Sequence, residues 1–164
     1  MCIRDRAAAD PDGEAATAAG VADAIADVRR RTGLPVIVKG VLRGDDARRA
    51  TEAGAAAVVV STHGGRRLAS AVPTTHVLAE VVAAVDDAAE VYVDSGLRSG
   101  LHVATALSLG ARAVFVGRPM MWALAAGGST GVGELLGALT AELSSAMELL
   151  GADALDDLTR DLVR

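Results

Sequence analysis

Four clusters of potentially reactive residues recur along this 164-residue chain, each directly behind a short apolar run. The fullest is Ser61-Thr62-His63-Gly64-Gly65-Arg66, which follows Ala55 to Val60. His63 is the side chain best suited to move protons near neutral pH, and Arg66 can clamp a carboxylate or phosphate. Gly64 and Gly65 permit close backbone approach or positive φ. Taken alone, a histidine in an ordinary loop is the better explanation of this hexapeptide. The other clusters change that. Lys39-Gly40 closes an apolar run, and a lysine there is costly to bury unless it is paired. Asp94-Ser95-Gly96-Leu97-Arg98-Ser99-Gly100 and Gly117-Arg118-Pro119 are glycine–arginine turns, suited to holding phosphate on backbone N–H groups and a helix N-terminus. One such turn is weak evidence; an ordered set of four is strong.

The elements that must position these residues can be read from periodicity. Strands are expected at Pro35–Lys39, Ala57–Ser61, Val91–Asp94 and Ala113–Gly117, all short, apolar and β-branched. Between them, residues at helical spacing predict helices over Asp45–Ala53, Thr75–Val85 and Leu101–Leu109. Strand–helix alternation indicates βαβ units on a parallel sheet, whose C-terminal strand ends share one mouth. The stretch Glu52 to Val60 resembles Ser108 to Val116, with Gly54 and Gly110 as matching helix-ending glycines. That repeat fits a quarter of a (β/α)₈ barrel better than a doubly wound sheet. A leading helix is expected over Gly13–Arg31, with Val21, Ile25 and Val28 on one face. A long amphipathic helix is expected over Gly131–Leu150, N-capped by Thr130 and ended by Gly151, and a further short one over Ala152–Leu162. Met120, Met121 and Trp122 read as packing residues.

Hydrophobic residues make up 51% of the chain but aromatics only 2%, so the core must be built from Ala, Val and Leu. A net charge of −5 argues against nucleic acid as the main partner. The single cysteine, Cys2, excludes an internal disulfide framework and predicts a reducing, cytoplasmic setting. No 18-residue apolar stretch lacks charge, so no membrane span is expected. No residues are assigned to a metal.

From Leu34 to Gly128 the chain closely resembles the C-terminal half of FMN-dependent α-hydroxy-acid oxidases and dehydrogenases, the glycolate and lactate oxidase type. The segments carrying the resemblance are Leu34-Pro-Val-Ile-Val-Lys-Gly-Val41, His63-Gly-Gly-Arg66, the Asp94–Gly100 turn and Ala106-Leu-Ser-Leu-Gly-Ala-Arg-Ala-Val-Phe-Val-Gly-Arg-Pro119, in that family's order and spacing. A weaker match covers most of residues 20 to 164. The resemblance implies an α/β fold, the C-terminal half of a (β/α)₈ barrel, and FMN as cofactor. It implies that a small 2-hydroxy acid is oxidised to the 2-oxo acid, with His63 as catalytic base and Arg66 on the substrate carboxylate. Lys39 would sit beside the N1 and O2 edge of the flavin, and Ser61 would line the flavin pocket. Asp94 would bond the ribityl chain, and Arg98 and Arg118, with Gly96 and Gly117, would hold the 5′-phosphate.

Several positions depart from the family's pattern. Thr62 stands where most members carry asparagine, Ser95 where many carry glycine, and His102 where aspartate is usual; His102 reads as a surface substitution. Arg67 to Pro73 also departs, which bears on substrate preference more than on cofactor binding.

The resemblance further implies that the family's substrate tyrosines, and the aspartate orienting the histidine, lie in the barrel's first half. The chain is therefore expected to be a truncated piece that does not turn over substrate, of a longer homo-oligomeric parent that does. Residues 1–6 resemble a translated sequencing-adapter scar. Residues 7–33 would lead into the barrel, 34–128 form the half-barrel, and 129–164 the C-terminal helices. Two alternatives stay open: another FMN barrel of the isopentenyl-diphosphate isomerase type, or a non-catalytic flavin-binding fragment.

Overall fold

The computed structural model describes residues 18–163. The opening hexapeptide and the start of the predicted 13–31 helix lie outside the described residues. Helix α1 (Ala18–Thr32) leads into strand β1 (Ile37–Val41), followed by α2 (Gly44–Glu52), β2 (Ala57–Val60), α3 (Thr74–Val85) and β3 (Glu90–Val93). Then come α4 (Gly100–Ser108), β4 (Ala113–Val114) and α5 (Arg118–Leu150). The four strands form one sheet in sequence order, and every pairing is parallel.

Strand alternation sorts the side chains onto two faces. Val38, Val58, Val60, Val91 and Val93 turn to one face and join Ile25, Ala47, Ala50, Leu78, Val81 and Val85 from α1, α2 and α3 in a single buried core. That core is almost all aliphatic, as the composition requires. Lys39, Val59, Tyr92 and Ala113 lie in register across the other face. There Tyr92 meets Phe115 edge-to-face, with ring centroids 5.7 Å apart.

Strand β1 lies two residues later than the predicted Pro35–Lys39, because its pairing with β2 continues past Lys39 through a bulge. Lys39 pairs with Val59 and Val41 with Val60, leaving Gly40 as the extra residue at φ 101°. Bulges re-aim the side chains beside them, and glycine alone accepts that φ easily.

Two C-terminal expectations are corrected. The helical run begins at Arg118, not Gly131, and is broken at Gly128 (φ 60°, ψ −146°), so Thr130 lies inside the run and does not cap it. Gly131 allows the two segments to approach: a Cβ there would stand 2.5 Å from the Ala123 carbonyl oxygen. In place of a helix over Ala152–Leu162 there are two short 3₁₀ turns, Leu155–Asp157 and Arg160–Leu162. The Asp157 carboxylate takes the N–H groups of Asp153 and Ala154, at 3.0 and 2.7 Å, and such local side-chain bonds compete with a helix. Gly151 ends α5 at φ 70°, as expected.

Candidate active site

The site is built on the C-terminal ends of the four strands. Beside its bulge, Lys39 extends its ammonium to the neighbouring strand ends, where Nζ donates to Ser61 Oγ at 3.0 Å and to Asp94 Oδ2. The lysine that closes an apolar strand is therefore paired, as its burial demands. Burial alone would push the Asp94 carboxyl up. Hydrogen bonds from Lys39, Ser61 and Ser95, with the Lys39 charge, outweigh it and hold Asp94 below the usual carboxylate range. Ser61 is 1% exposed and sits beneath the cleft floor.

The turn after β2 is left-handed over three successive residues, with φ of 53° at His63, 70° at Gly64 and 75° at Gly65. The glycines accept this freely, whereas at His63 it costs roughly 1–2 kcal/mol. The turn is held by hydroxyls from two strand ends. His63 N–H donates to Ser61 Oγ at 3.0 Å, and the N–H groups of Thr62 and Gly64 donate to Ser95 Oγ at 3.1 and 3.2 Å.

On the far side of the mouth, Arg118 opens α5 and its Nη2 donates to the Gly64 carbonyl at 3.0 Å, spanning from the fourth strand end to the second. The Arg98 guanidinium lies 5.4 Å from the Trp122 ring centre, and its Nη1 donates to its neighbour's carbonyl at Leu97. His102 does more than occupy surface: its Nδ1 accepts the Arg98 backbone N–H at 3.1 Å, while its own N–H donates to the Ser99 cap of α4 at 3.3 Å. It thus organises the glycine–arginine turn from the helix side.

One cleft of about 390 Å³ brings together Lys39, His63, Arg66, Asp94, Gly96, Arg98, Gly117 and Arg118. Only Ser61, among the expected site residues, lies outside its lining, one layer down. The packing expectation for Met121 and Trp122 is corrected. They are 63% and 58% exposed; Met121 lines the cleft and Trp122 lies against Arg98. Sequence reasoning missed Ser95 and Thr74. The buried Thr74 hydroxyl donates to the carbonyls of Asp94 and Ser95, at 2.9 and 3.2 Å. Neither residue carries a motif, and the only signal at Ser95 was its departure from glycine.

The side of the cleft bearing Arg98 and Arg118 suits a dianion. Gly96 stands at φ 99°, and a Cβ added at Gly96 or Gly117 would meet nothing within 4 Å, so the space beside both arginines is clear. Two guanidinium groups and a helix N-terminus match a phosphoryl group in charge and geometry. A parallel (β/α) sheet with a cleft of charged residues at its strand ends defines part of a (β/α)₈ barrel. The chain matches the FMN-dependent dehydrogenase family over residues 5–164, and it belongs to that family.

Relatives agree with this. A 4-hydroxymandelate oxidase from Amycolatopsis orientalis is 53% identical over 132 residues, which is 80% of this chain and 37% of that protein. An L-lactate oxidase from Nostoc sp. is 50% identical over 125 residues, 76% of this chain and 34% of that protein. Among solved structures, a mandelate oxidase with the monooxide FMN adduct superposes with a TM-score of 0.81 at 51% identity, covering 88% of this chain and 45% of its own. The chain thus spans little more than a third of the length of the curated relatives it matches.

Proposed function

We propose that this chain supplies the cofactor- and substrate-facing strand ends of an enzyme that oxidises a small 2-hydroxy acid to the 2-oxo acid with FMN. The observation that carries the proposal is the meeting of His63 and Arg66 with Arg98 and Arg118 around one cleft. Such a grouping supports reading His63 as a base and Arg66 as a carboxylate clamp, with Arg98 and Arg118 serving a phosphate. The names of the relatives, oxidases of hydroxymandelate and lactate, point to the same substrate class.

Arg66 pairs with the substrate carboxylate, two parallel N–H···O bonds fixing its plane and therefore the direction of the α-carbon. His63 takes the proton released from the α-carbon or its hydroxyl. FMN, when bound, would supply the acceptor for the two electrons and the second hydrogen that leave the substrate as its C–O single bond becomes a carbonyl. Lys39 sets a positive charge beside the ring edge where negative charge accumulates. Asp94 keeps that ammonium in place and would offer acceptors to the ribityl hydroxyls, while Ser61, one layer beneath the cleft, holds Lys39 from below. Arg98 and Arg118, with the open backbone at Gly96 and Gly117, hold the 5′-phosphate. Among the described residues no helix is long and apolar enough to cross a membrane.

The proposal extends to organisation. Residues 34–128 form the half-barrel bearing the motifs, with residues 7–33 leading into it and residues 129–164 following it. The remaining site residues belong to length the relatives have and this chain does not span. The parent acts as a cytoplasmic homo-oligomer, and the 164 residues alone do not turn over substrate.

The test is titration with FMN and riboflavin, read by flavin fluorescence, followed by assay against a panel of 2-hydroxy acids. FMN is expected to bind more tightly than riboflavin, and the 164 residues alone to show no oxidation. Absence of any preference for the phosphorylated flavin would overturn the site assignment. Oxidation by this chain that disappears in His63→Ala would overturn the claim that the rest of the site lies elsewhere.

A further inference from the structure

We infer that Ser95 is a positioning residue for the His63 turn, acting as a hydroxyl clasp that Asp94 orients. The inference rests on the reading of His63 as the base. A serine hydroxyl has one hydrogen to give and two lone pairs to receive. All three are used here. Ser95 Oγ donates to Asp94 Oδ1 at 2.6 Å and accepts from the Thr62 and Gly64 N–H groups at 3.1 and 3.2 Å. An ionised carboxylate can only accept, so Asp94 dictates where the Ser95 hydrogen points. Both lone pairs are then left facing the turn. The amide between those two, His63 N–H, goes to Ser61 Oγ, which is itself fixed by the Lys39 ammonium. Three successive amides of the turn are thereby held by two serines that share one carboxylate–ammonium pair.

The turn needs such holding. His63 stands in the left-handed region, which a non-glycine residue leaves readily unless neighbours over-determine it. Ser95 itself sits at φ 70°, a conformation that glycine would adopt without strain. Serine at that position adds backbone strain and gains a hydroxyl, and the hydroxyl is what reaches the turn. The buried Thr74 side chain, bonded to the Ser95 carbonyl, keeps the clasp's own backbone in place. A residue with glycine's conformation and serine's hydrogen bonds is a device for aiming His63.

Ser95→Gly and Ser95→Ala test this together. Glycine relieves the strain and alanine keeps it, so an effect common to both comes from the hydroxyl. Amide hydrogen exchange followed by NMR should speed up at Thr62 and Gly64 by at least about tenfold in both variants, while the core amide of Val93 is unchanged. The His63 ring signals should broaden, and those of His76 and His102 should stay in place. In the flavin-loaded enzyme that turns over a 2-hydroxy acid, Ser95→Gly should lower kcat, with FMN affinity held within about twofold. Unchanged exchange at both amides would overturn the clasp. So would a loss of FMN affinity with kcat intact. Failure of the unsubstituted protein to bind FMN would instead overturn the proposed function, leaving the exchange result to decide the clasp by itself.

Discussion

Gly100 opens α4 with its backbone N–H on the Glu142 carboxylate of α5, 2.6 Å away. Gly44 opens α2 in the same manner, 2.7 Å from the Glu80 carboxylate of α3. In each case a glutamate from the following helix accepts the first amide of the preceding one and meets the positive end of its dipole. Neither glycine has room for a side chain. A Cβ on Gly100 would stand 2.2 Å from Leu143 N, and one on Gly44 would stand 2.9 Å from the Ala84 Cβ. Gly44 and Gly54 occupy the first βα unit where Gly100 and Gly110 occupy the third. The repeat noticed at Gly54 and Gly110 is thus a repeat of tertiary contacts as well as of sequence.

Gly100→Ala should destabilise the fold by about 2–3 kcal/mol, because Leu143 backbone and not a flexible side-chain tip must move. Glu142→Ala should cost about 1–2 kcal/mol through loss of a charge-assisted bond at a helix N-terminus. Urea unfolding of both variants checks this. A Gly100→Ala protein as stable as its parent would refute the close approach.

The Lys39–Asp94 pair should give the fold an acid-sensitive component. The Asp94 carboxyl lies below its ordinary value when folded, so its contribution is fully present above about pH 4 and is lost as pH falls through the depressed folded value. Asp94→Asn should remove that part of the pH dependence, leaving a shallower decline in the urea midpoint below about pH 4. An unaltered acid limb in the variant would show that other carboxylates carry it.

Trp122 is the chain's sole tryptophan, and it lies against Arg98, which lines the cleft proposed to hold the FMN phosphate. Its emission should therefore change when FMN binds, with no competing signal. Trp122→Leu should weaken FMN binding about two- to fivefold, the size of an exposed cation–π contact. Flavin binding that leaves tryptophan emission untouched would place the phosphate elsewhere.

Arg118 joins the start of α5 to the His63 turn through the Gly64 carbonyl, and it is one of the two arginines proposed for the phosphate. Arg118→Leu should lower the preference for FMN over riboflavin by about tenfold, since a charge-assisted contact to phosphate is removed while the ring contacts remain. Equal preference in parent and variant, measured by parallel titrations, would exclude Arg118 from the phosphate.

Most of the fold was legible because its signals are local. Runs such as Ala57 to Val60 are short and β-branched, and each became a strand, although the fourth, expected over Ala113–Gly117, is confined to Ala113–Val114. The register of β1 was not legible, because the bulge at Gly40 exists only once β2 lies alongside. The helix start at Arg118 was missed for a related reason: Gly128 and Gly131 look like a loop until the Ala123 backbone is packed against them. His63, Arg66, Lys39, Arg98 and Arg118 stood out as an ordered set behind four apolar strands, whereas each cluster taken singly had an ordinary explanation. Ser95, Thr74 and Glu142 did not, since a serine, a threonine and a helical glutamate carry no motif of their own.

By itself the sequence determined the parallel strand–helix order, the aliphatic core and the set of groups available for chemistry at the strand ends. Those depend on residue type and short-range spacing, which the chain carries before it folds. Tertiary structure alone decided that Lys39 pairs with Asp94, that two serines hold the amides around His63, and that Arg118 reaches Gly64. These are contacts between residues far apart in the chain, fixed by strand register and by where each hydroxyl hydrogen can point, and no local pattern encodes them.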